Sequence, residues 1–260
     1  MILYKYVTRK RAEKFFKKPT VRFTPPPALN DPYELSSSYY ESLDNHYADD
    51  HHSLRRLMLS DGYGILSLSR SPNNALMWSH YGTGTIRSKP KGISLRAEKD
   101  NAHGGFVIGI DIDQSGLNDS RINIVPAKFG SVIYTKTKPI HDFASSEDNI
   151  ILDSRQCSFS PQHLEAIQRY FLYKSIDWSY EQEVRVVRNI HRLRLNNQIS
   201  NEFLELDRST IKEFYIGAAQ CYDKKDENYY KRKILKSFPG CNVFQCTHDI
   251  RSWDVLTKKI

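Results

Sequence analysis

The chain has little of what usually announces a function. It holds four cysteines in 260 residues, and no two form a C-x-x-C pair. Cys241, Cys246 and His248 lie close together, but their spacing fits no common zinc motif. Cys157, Cys221, Cys241 and Cys246 are therefore expected to be reduced thiols in a cytoplasmic chain. No apolar run approaches the ~18 residues of a membrane span, so no membrane association is expected. Charge begins at Lys5 with no apolar stretch behind it, which predicts no secretory leader. Neither G-x-x-x-x-G-K-S nor strand–G-x-G-x-x-G–helix occurs, and the usual phosphate-cradling loops go with them. No internal repeat, low-complexity tract or clear linker divides the chain. Residues 1–260 are expected to form a single α+β domain.

What is present is a globular composition. Hydrophobic residues make up 39% and aromatics 12%, with sixteen tyrosines, which argues against disorder. The net charge is +8, and residues 1–22 carry eight Lys/Arg against Glu13 alone, a surplus of +7. Such a patch favours an anionic partner, a phosphate-bearing ligand or nucleic acid. The alternative is an ordinary solvated basic helix face.

Ile2-Leu3-Tyr4-Lys5-Tyr6-Val7 reads as a first strand. Thr8 can cap a short helix ended by Pro19, whose stripe Ala12, Phe15, Phe16 faces inward. Val21–Thr24 is a short strand, and Asn30-Asp31-Pro32-Tyr33-Glu34 has turn chemistry. Residues 38–60 look helical. Within them Asp49-Asp50-His51-His52 could present at most two metal ligands at once, and no metal is assigned. Residues 64–69 form a strand with Ser67 and Ser69 on one face. A short helix follows at 73–82, capped by Ser71 or Asn73. Its Trp78, His80 and Tyr81 suggest a ligand wall, although any one could be a core anchor. Residues 82–105 read as an inserted surface loop, a possible lid. Strands follow at 106–112 and 130–134, irregular chain at 137–160, and a helix from about 161 to 175. Strands near 203–206, 213–217 and 242–246 and a basic helix near 224–237 complete the chain.

The stretch with most chemistry is Trp178-Ser179-Tyr180-Glu181-Gln182-Glu183-Val184-Arg185-Val186-Val187. Read as a strand, it puts Glu181, Glu183 and Arg185 on one face and Val184 and Val186 on the buried one. The paired carboxylates could hold a cation, a sugar hydroxyl or a positive reaction centre. Equally, Glu–Arg pairs worth about 0–1 kcal/mol each could simply decorate a solvated sheet.

Four pieces occur in order: Leu3-Tyr4-Lys5-Tyr6, Asn30-Asp31-Pro32-Tyr33-Glu34, Met77-Trp78-Ser79-His80-Tyr81 and Trp178–Arg185. With Ile216-Gly217 near the end, the set resembles the bacterial family called domain of unknown function 2971. Relatives pass from His-Tyr to the next strand in a few residues, whereas here His103-Gly104 arrives after about twenty inserted ones. More distantly, the order of elements looks like the ADP-ribosyltransferase architecture. That resemblance implies a split, mostly antiparallel sheet with flanking helices. It implies NAD as substrate, bound by Tyr4, Lys5, Tyr6, Ser67, Ser69, Trp78, His80 and Tyr81. Glu183 would face the ribosyl cation, and Glu181 would take the proton of the acceptor, a protein or nucleic acid. Such an enzyme would serve as a toxin, a phage-defence effector or a regulatory modifier. Those transferases mostly have Arg or His where this first strand has Lys5. Two other classes stay open: a nuclease or phosphodiesterase holding Mg²⁺ with Asp31, Glu34, Glu181 and Glu183, and a non-catalytic sensor or nucleic-acid-binding module.

Overall fold

In the computed structural model the chain is described at residues 1–31, 33–35, 38–39, 59, 62–84, 101–141, 146–190, 202–220 and 224–260. Its strands in chain order are β1 (Ile2–Val7), β2 (Thr20–Arg22), β3 (Ser38–Tyr39), β4 (Tyr63–Ser69), β5 (Phe106–Asp111), β6 (Ile133–Thr135), β7 (Ile140–His141), β8 (Tyr173–Ser175), β9 (Glu183–Asn189), β10 (Phe203–Glu205), β11 (Ile211–Ile216), β12 (Asn242–His248) and β13 (Val255–Lys259). Its α-helices are α1 (Arg9–Lys17), α2 (Ala75–His80), α3 (Ser146–Leu152), α4 (Leu164–Phe171) and α5 (Lys224–Ser237). The class is α+β, with a large, mostly antiparallel sheet. The chain divides into two compact units. The first holds residues 1–20, 68–115 and 206–260, and the second holds residues 21–67 and 116–205.

The first unit is built on strands in the order β13-β12-β11-β5-β1-β4. β1 pairs antiparallel with β5, β5 with β11 and β12 with β13, whereas β11 and β12 run parallel. At the β4 edge Tyr4 lies opposite Ser69. The β1 pattern suits its place between β4 and β5, because apolar and aromatic residues fit a pleated, half-buried surface. α1 begins where the Thr8 hydroxyl accepts a bond from the Arg11 amide, and it buries Ala12, Phe15 and Phe16. Phe15 and Phe16 meet Phe214 and Phe238 in an aromatic cluster with Phe106 beside it. α2 is capped by Asn74, whose side chain accepts from the Met77 amide, rather than by Ser71 or Asn73.

The second unit packs Ile167, Tyr170 and Phe171 of α4 in one core with Tyr63, Ile65 and Ile124. Here the Tyr63–Ser67 part of β4 neighbours β9. Small sheets pair β2 with β10, β3 with β7 and β6 with β8. β9 also receives residues 125–131 through bridges Val125↔Val187 and Ser131↔Val184. That approach requires glycine at 130, because a Cβ there would lie 1.9 Å from the Arg185 carbonyl oxygen.

Several expectations need correction. The helix ending near 175 stops at Phe171, and Tyr173–Ser175 is a strand paired parallel with Ile133–Thr135. The stretch 137–160 is not irregular throughout, since it contains β7 and α3. The helical segment expected at 38–60 opens instead with the two strand residues of β3. Most of that segment, including Asp49-Asp50-His51-His52, lies outside the described residues, as do residues 85–100 of the expected loop. Glu181 does not belong to a strand. It ends a 3-10 helix (Ile176–Glu181), and the strand starts only at Glu183.

Candidate functional site

Among the charged side chains buried in the second unit, five form one cluster: Glu34, Lys174, Glu181, Glu183 and Arg185. β9 is buried at all seven positions, so its charged side chains do not lie on a solvated face. Glu183 and Arg185, two residues apart, share one side of it. The 3-10 helix before it is capped by Ser175, whose hydroxyl accepts from the Asp177 amide. Gln182 then adopts φ 46, ψ 47, the left-handed conformation, which breaks the strand between the two glutamates. Both carboxylates nevertheless reach one ammonium, that of Lys174 on β8.

Lys174 Nζ donates to Glu181 Oε2 at 2.6 Å and to Glu183 Oε2 at 3.2 Å, and it forms an ion pair with Glu34 Oε1 at 3.0 Å. Three carboxylates thus surround one ammonium. It also lies 4.8 Å from the centre of the Trp178 ring. The Arg185 guanidinium donates to both oxygens of Glu183 at 3.0 Å each, to Glu34 Oε2, and to the Phe171 carbonyl at 2.7 Å. Glu34, Glu181 and Glu183 are each about 5% exposed, and Arg185 not at all. Three carboxylates against two cations leave a formal surplus of one negative charge.

Burial alone would raise the Glu183 pKa. The charges of Arg185 and Lys174, with bonds from Arg185 and the Ser67 hydroxyl, outweigh it and hold the carboxylate well below its ordinary 4.5. Burial would likewise lower Lys174, but Glu183, Glu34 and Glu181 raise it above the normal lysine range. The Glu183 amide donates to the Tyr134 hydroxyl at 2.9 Å. Burial pushes that phenol up to about 12, so it stays protonated at neutral pH. Glu34 and Lys174 also line a cavity of about 310 Å³ whose walls include Tyr33, Lys136, Lys138 and Trp178.

The sequence-predicted residues divide between the units. Ser67, Glu181 and Glu183 belong to the second, where Ser67 and Glu183 meet directly. Tyr4, Lys5, Tyr6, Ser69, Trp78, His80 and Tyr81 belong to the first. Tyr4 shares Glu213 Oε2 with Tyr215, through bonds of 3.1 and 2.9 Å. Lys5 sits on β1 opposite Ile108. Tyr6 donates to the Ser71 carbonyl, receives the Asn74 amide, and meets the Trp78 ring edge-on at 5.5 Å. Ser69 donates to the same Ser71 carbonyl. Trp78 is fully buried with its indole N–H on the Pro72 carbonyl, so it is the core anchor among the three α2 aromatics and cannot wall a ligand. His80 is exposed and lies 6.3 Å from the half-buried Tyr81. Of the four residues named for Mg²⁺, Glu34, Glu181 and Glu183 are paired with Lys174 and Arg185, and Asp31 is buried. Among the described residues no three His, Cys, Asp or Glu side chains group to hold a metal.

Residues 77–186 match the family model described as "Protein of unknown function (DUF2971)". It is the family that the four sequence pieces resemble. The family's matched segment ends within β9, so it includes Lys174, Glu181, Glu183 and Arg185 of the buried cluster. No curated protein and no solved structure matches the chain. Among the described residues, no helix is long and apolar enough to cross a membrane.

Lys174 and Tyr134 were missed from the sequence. A lysine is normally read as exposed. The signal that could have found it is its place between Phe171-Leu172-Tyr173 and Trp178, an aromatic setting for an isolated cation. His103 in the first unit was also underrated. Its ring stacks on Trp78 at 6.1 Å and meets His248 at 4.7 Å. Its Nδ1 is buried without a hydrogen-bond partner among the described residues. Burial first, then the neighbouring His248, lowers its pKa from 6.5 to about 4. Between those values the unfolded chain binds more protons than the folded one. The His103 contribution to stability is therefore complete above pH 6.5 and declines as pH falls toward 4. Urea unfolding at pH 7 and pH 5 is expected to show this loss, and His103→Phe to remove it.

Proposed function

We propose that the protein transfers ADP-ribose from NAD to a macromolecular acceptor, with Glu183 as the carboxylate facing the ribosyl cation. The observation that carries this reading is the Ser67–Glu183 bond. It joins the hydroxyl-bearing strand to the later glutamate, the pairing that the resemblance implies. The surplus negative charge of the cluster also favours a ligand with a cationic centre. In the reaction the bond from the ribose anomeric carbon to the nicotinamide nitrogen breaks. Its electron pair leaves with neutral nicotinamide, so the leaving group needs no proton. Preorganised negative charge stabilises the cation left behind, as carboxylates do in glycoside cleavage. The acceptor adds to that carbon and gives its proton to Glu181.

A second reading, a ligand sensor without catalysis, is favoured by two observations. Glu183 already has both oxygens bonded to Arg185. It is Glu34 and Lys174 that line the aromatic and lysine-walled cavity, whereas Glu183 does not. Incubation with NAD labelled in the nicotinamide and in the adenylate separates the two. Transferase activity is expected to release free nicotinamide and to move the adenylate label onto protein or nucleic acid. Binding with the NAD recovered intact supports the sensor, and neither binding nor release removes NAD from consideration.

A further inference from the structure

The largest feature left unused by that reading is a positive face on the first unit. α1 and α5 pack against each other. Residues 9–18 hold six Lys/Arg against Glu13, and residues 227–237 hold four against Glu227. The two segments together carry +8, equal to the formal net charge of the whole chain. The rest of the protein is balanced, so the surplus is a local property of two helices.

Their arrangement is fixed by named contacts. The Lys233 ammonium pairs with Glu13 and lies 5.4 Å from the Phe16 ring centre. One turn further on, the Arg208 guanidinium donates to the Phe16 and Lys17 carbonyls of α1 at 3.2 and 2.7 Å. It also donates to the Ser237 carbonyl of α5 at 2.9 Å. Both helices therefore run the same way and end at one arginine, which satisfies terminal carbonyls of each. Side by side, they are ~8–10 Å apart at the axes. Lys10, Lys14 and Lys17 recur at i, i+4, i+7 and are exposed, as are Arg232 and Lys236 at i, i+4 on α5. Lys10 to Lys17 spans about 10 Å of helix, a distance over which duplex nucleic acid presents about six phosphates.

We propose that this α1–α5 face binds the phosphate backbone of nucleic acid without reading its sequence. The alternatives fit less well. A helix that lies on an anionic membrane inserts an apolar face, and the apolar residues of α1, namely Ala12, Phe15 and Phe16, are already buried in the core. An acidic protein would meet the lysines, but regular rows of cations suit an evenly charged polymer best. Tyr229, 39% exposed on α5 and 5.5 Å from Lys233 Nζ, adds an aromatic surface beside those rows for an unpaired base.

The test uses the full chain and fluorescence anisotropy. The probes are a labelled duplex of about 20 base pairs, the matching single strand, polyglutamate, and phosphatidylserine vesicles. Between about 50 and 200 mM salt the affinity for duplex is expected to fall linearly on logarithmic axes, with a slope of about −0.9 per phosphate contacted. Lys14→Glu/Lys17→Glu/Lys236→Glu is expected to make that slope shallower by about 2.7 and to weaken binding about a hundredfold near 0.15 M salt. Arg121→Glu/Lys128→Glu/Arg155→Glu changes net charge equally on exposed residues of the second unit, and should leave the slope in place. Equal losses in both triples would overturn the proposal, because net charge and not this face would be responsible. Polyglutamate or vesicles binding as tightly as the duplex would overturn it as well. The measurement contains no NAD, so its failure says nothing about ADP-ribosyl transfer, and the converse holds.

Discussion

Arg185→Met is expected to lower folding stability by about 3–5 kcal/mol, the usual result of removing one partner from a buried ion cluster. The size follows from what is left behind. Without the guanidinium, Glu34, Glu181 and Glu183 share the single ammonium of Lys174, and the buried surplus grows from one negative charge to two. Glu183 loses both its Arg185 bonds, and the Phe171 carbonyl loses its donor. A methionine fills the space but supplies no donor to the four acceptor atoms left behind, Glu34 Oε2 among them. The same count makes Glu181→Gln mild. Its carboxylate contacts Lys174 at 2.6 Å, and removing that charge brings the remaining four groups to neutrality while the amide oxygen still accepts. A change below about 1 kcal/mol is expected there. Urea denaturation of both variants decides the matter. If Arg185→Met unfolds within about 1 kcal/mol of the parent, the cluster does not hold together as described. Acid should act through the same network. The Glu183 pKa is depressed in the folded state, so its contribution is complete above pH 4.5 and lost as pH falls below that. The His103 loss begins near pH 6.5 and the Glu183 loss only below 4.5, so the first is under way before the second starts.

How much of this was legible depends on whether a local rule carried the information. β1, β5 and β12 were readable because their residues alternate or are continuously apolar, and α1 because its stripe and Thr8 cap are local chemistry. The carboxylate pair was found for a reason that turned out to be wrong. A period of two put Glu181 and Glu183 on one strand face, whereas Gln182 at φ 46 ends a 3-10 helix there. Glutamine carries no preference that marks a left-handed residue, as glycine or asparagine would. The two carboxylates converge because Lys174, on a separate strand, draws both to one point. The solvated-face alternative failed for a related reason. Alternating charge on a strand reads as a wet surface, and only the long-range pairing of Glu34 with Arg185 reveals a dry one. The acidic turn at Asn30–Glu34 was noticed, but a separation of 151 residues between those partners leaves no trace in the local pattern.

The largest expected effect on activity is at Glu183. If the protein cleaves NAD as proposed, Glu183→Gln should slow nicotinamide release by about 10²–10³, or roughly 3–4 kcal/mol, because one preorganised charge is lost where positive charge develops. Binding of intact NAD should change far less, since the ribosyl cation appears only on the way to the transition state. Glu181→Gln should instead impair transfer to the acceptor more than hydrolysis, because water can substitute for the macromolecular nucleophile. Both carboxylates are about 5% exposed. Their burial changes how the experiment is run. Glu183→Gln also weakens the grip on Arg185 and Lys174, so a rate loss could come from partial unfolding. The assay therefore belongs at a temperature where denaturation curves show the variant fully folded. Arg185→Lys serves as a second control, since it keeps the charge of the cluster while losing the two-pronged bond to Glu183. Loss at Glu183→Gln with substantial activity in Arg185→Lys places the carboxylate at the reaction. Equal losses in the two would make Glu183 a positioning residue that acts through the cluster. Nicotinamide release at the parent rate in Glu183→Gln would return it to a purely structural part, one buried anion balancing two cations.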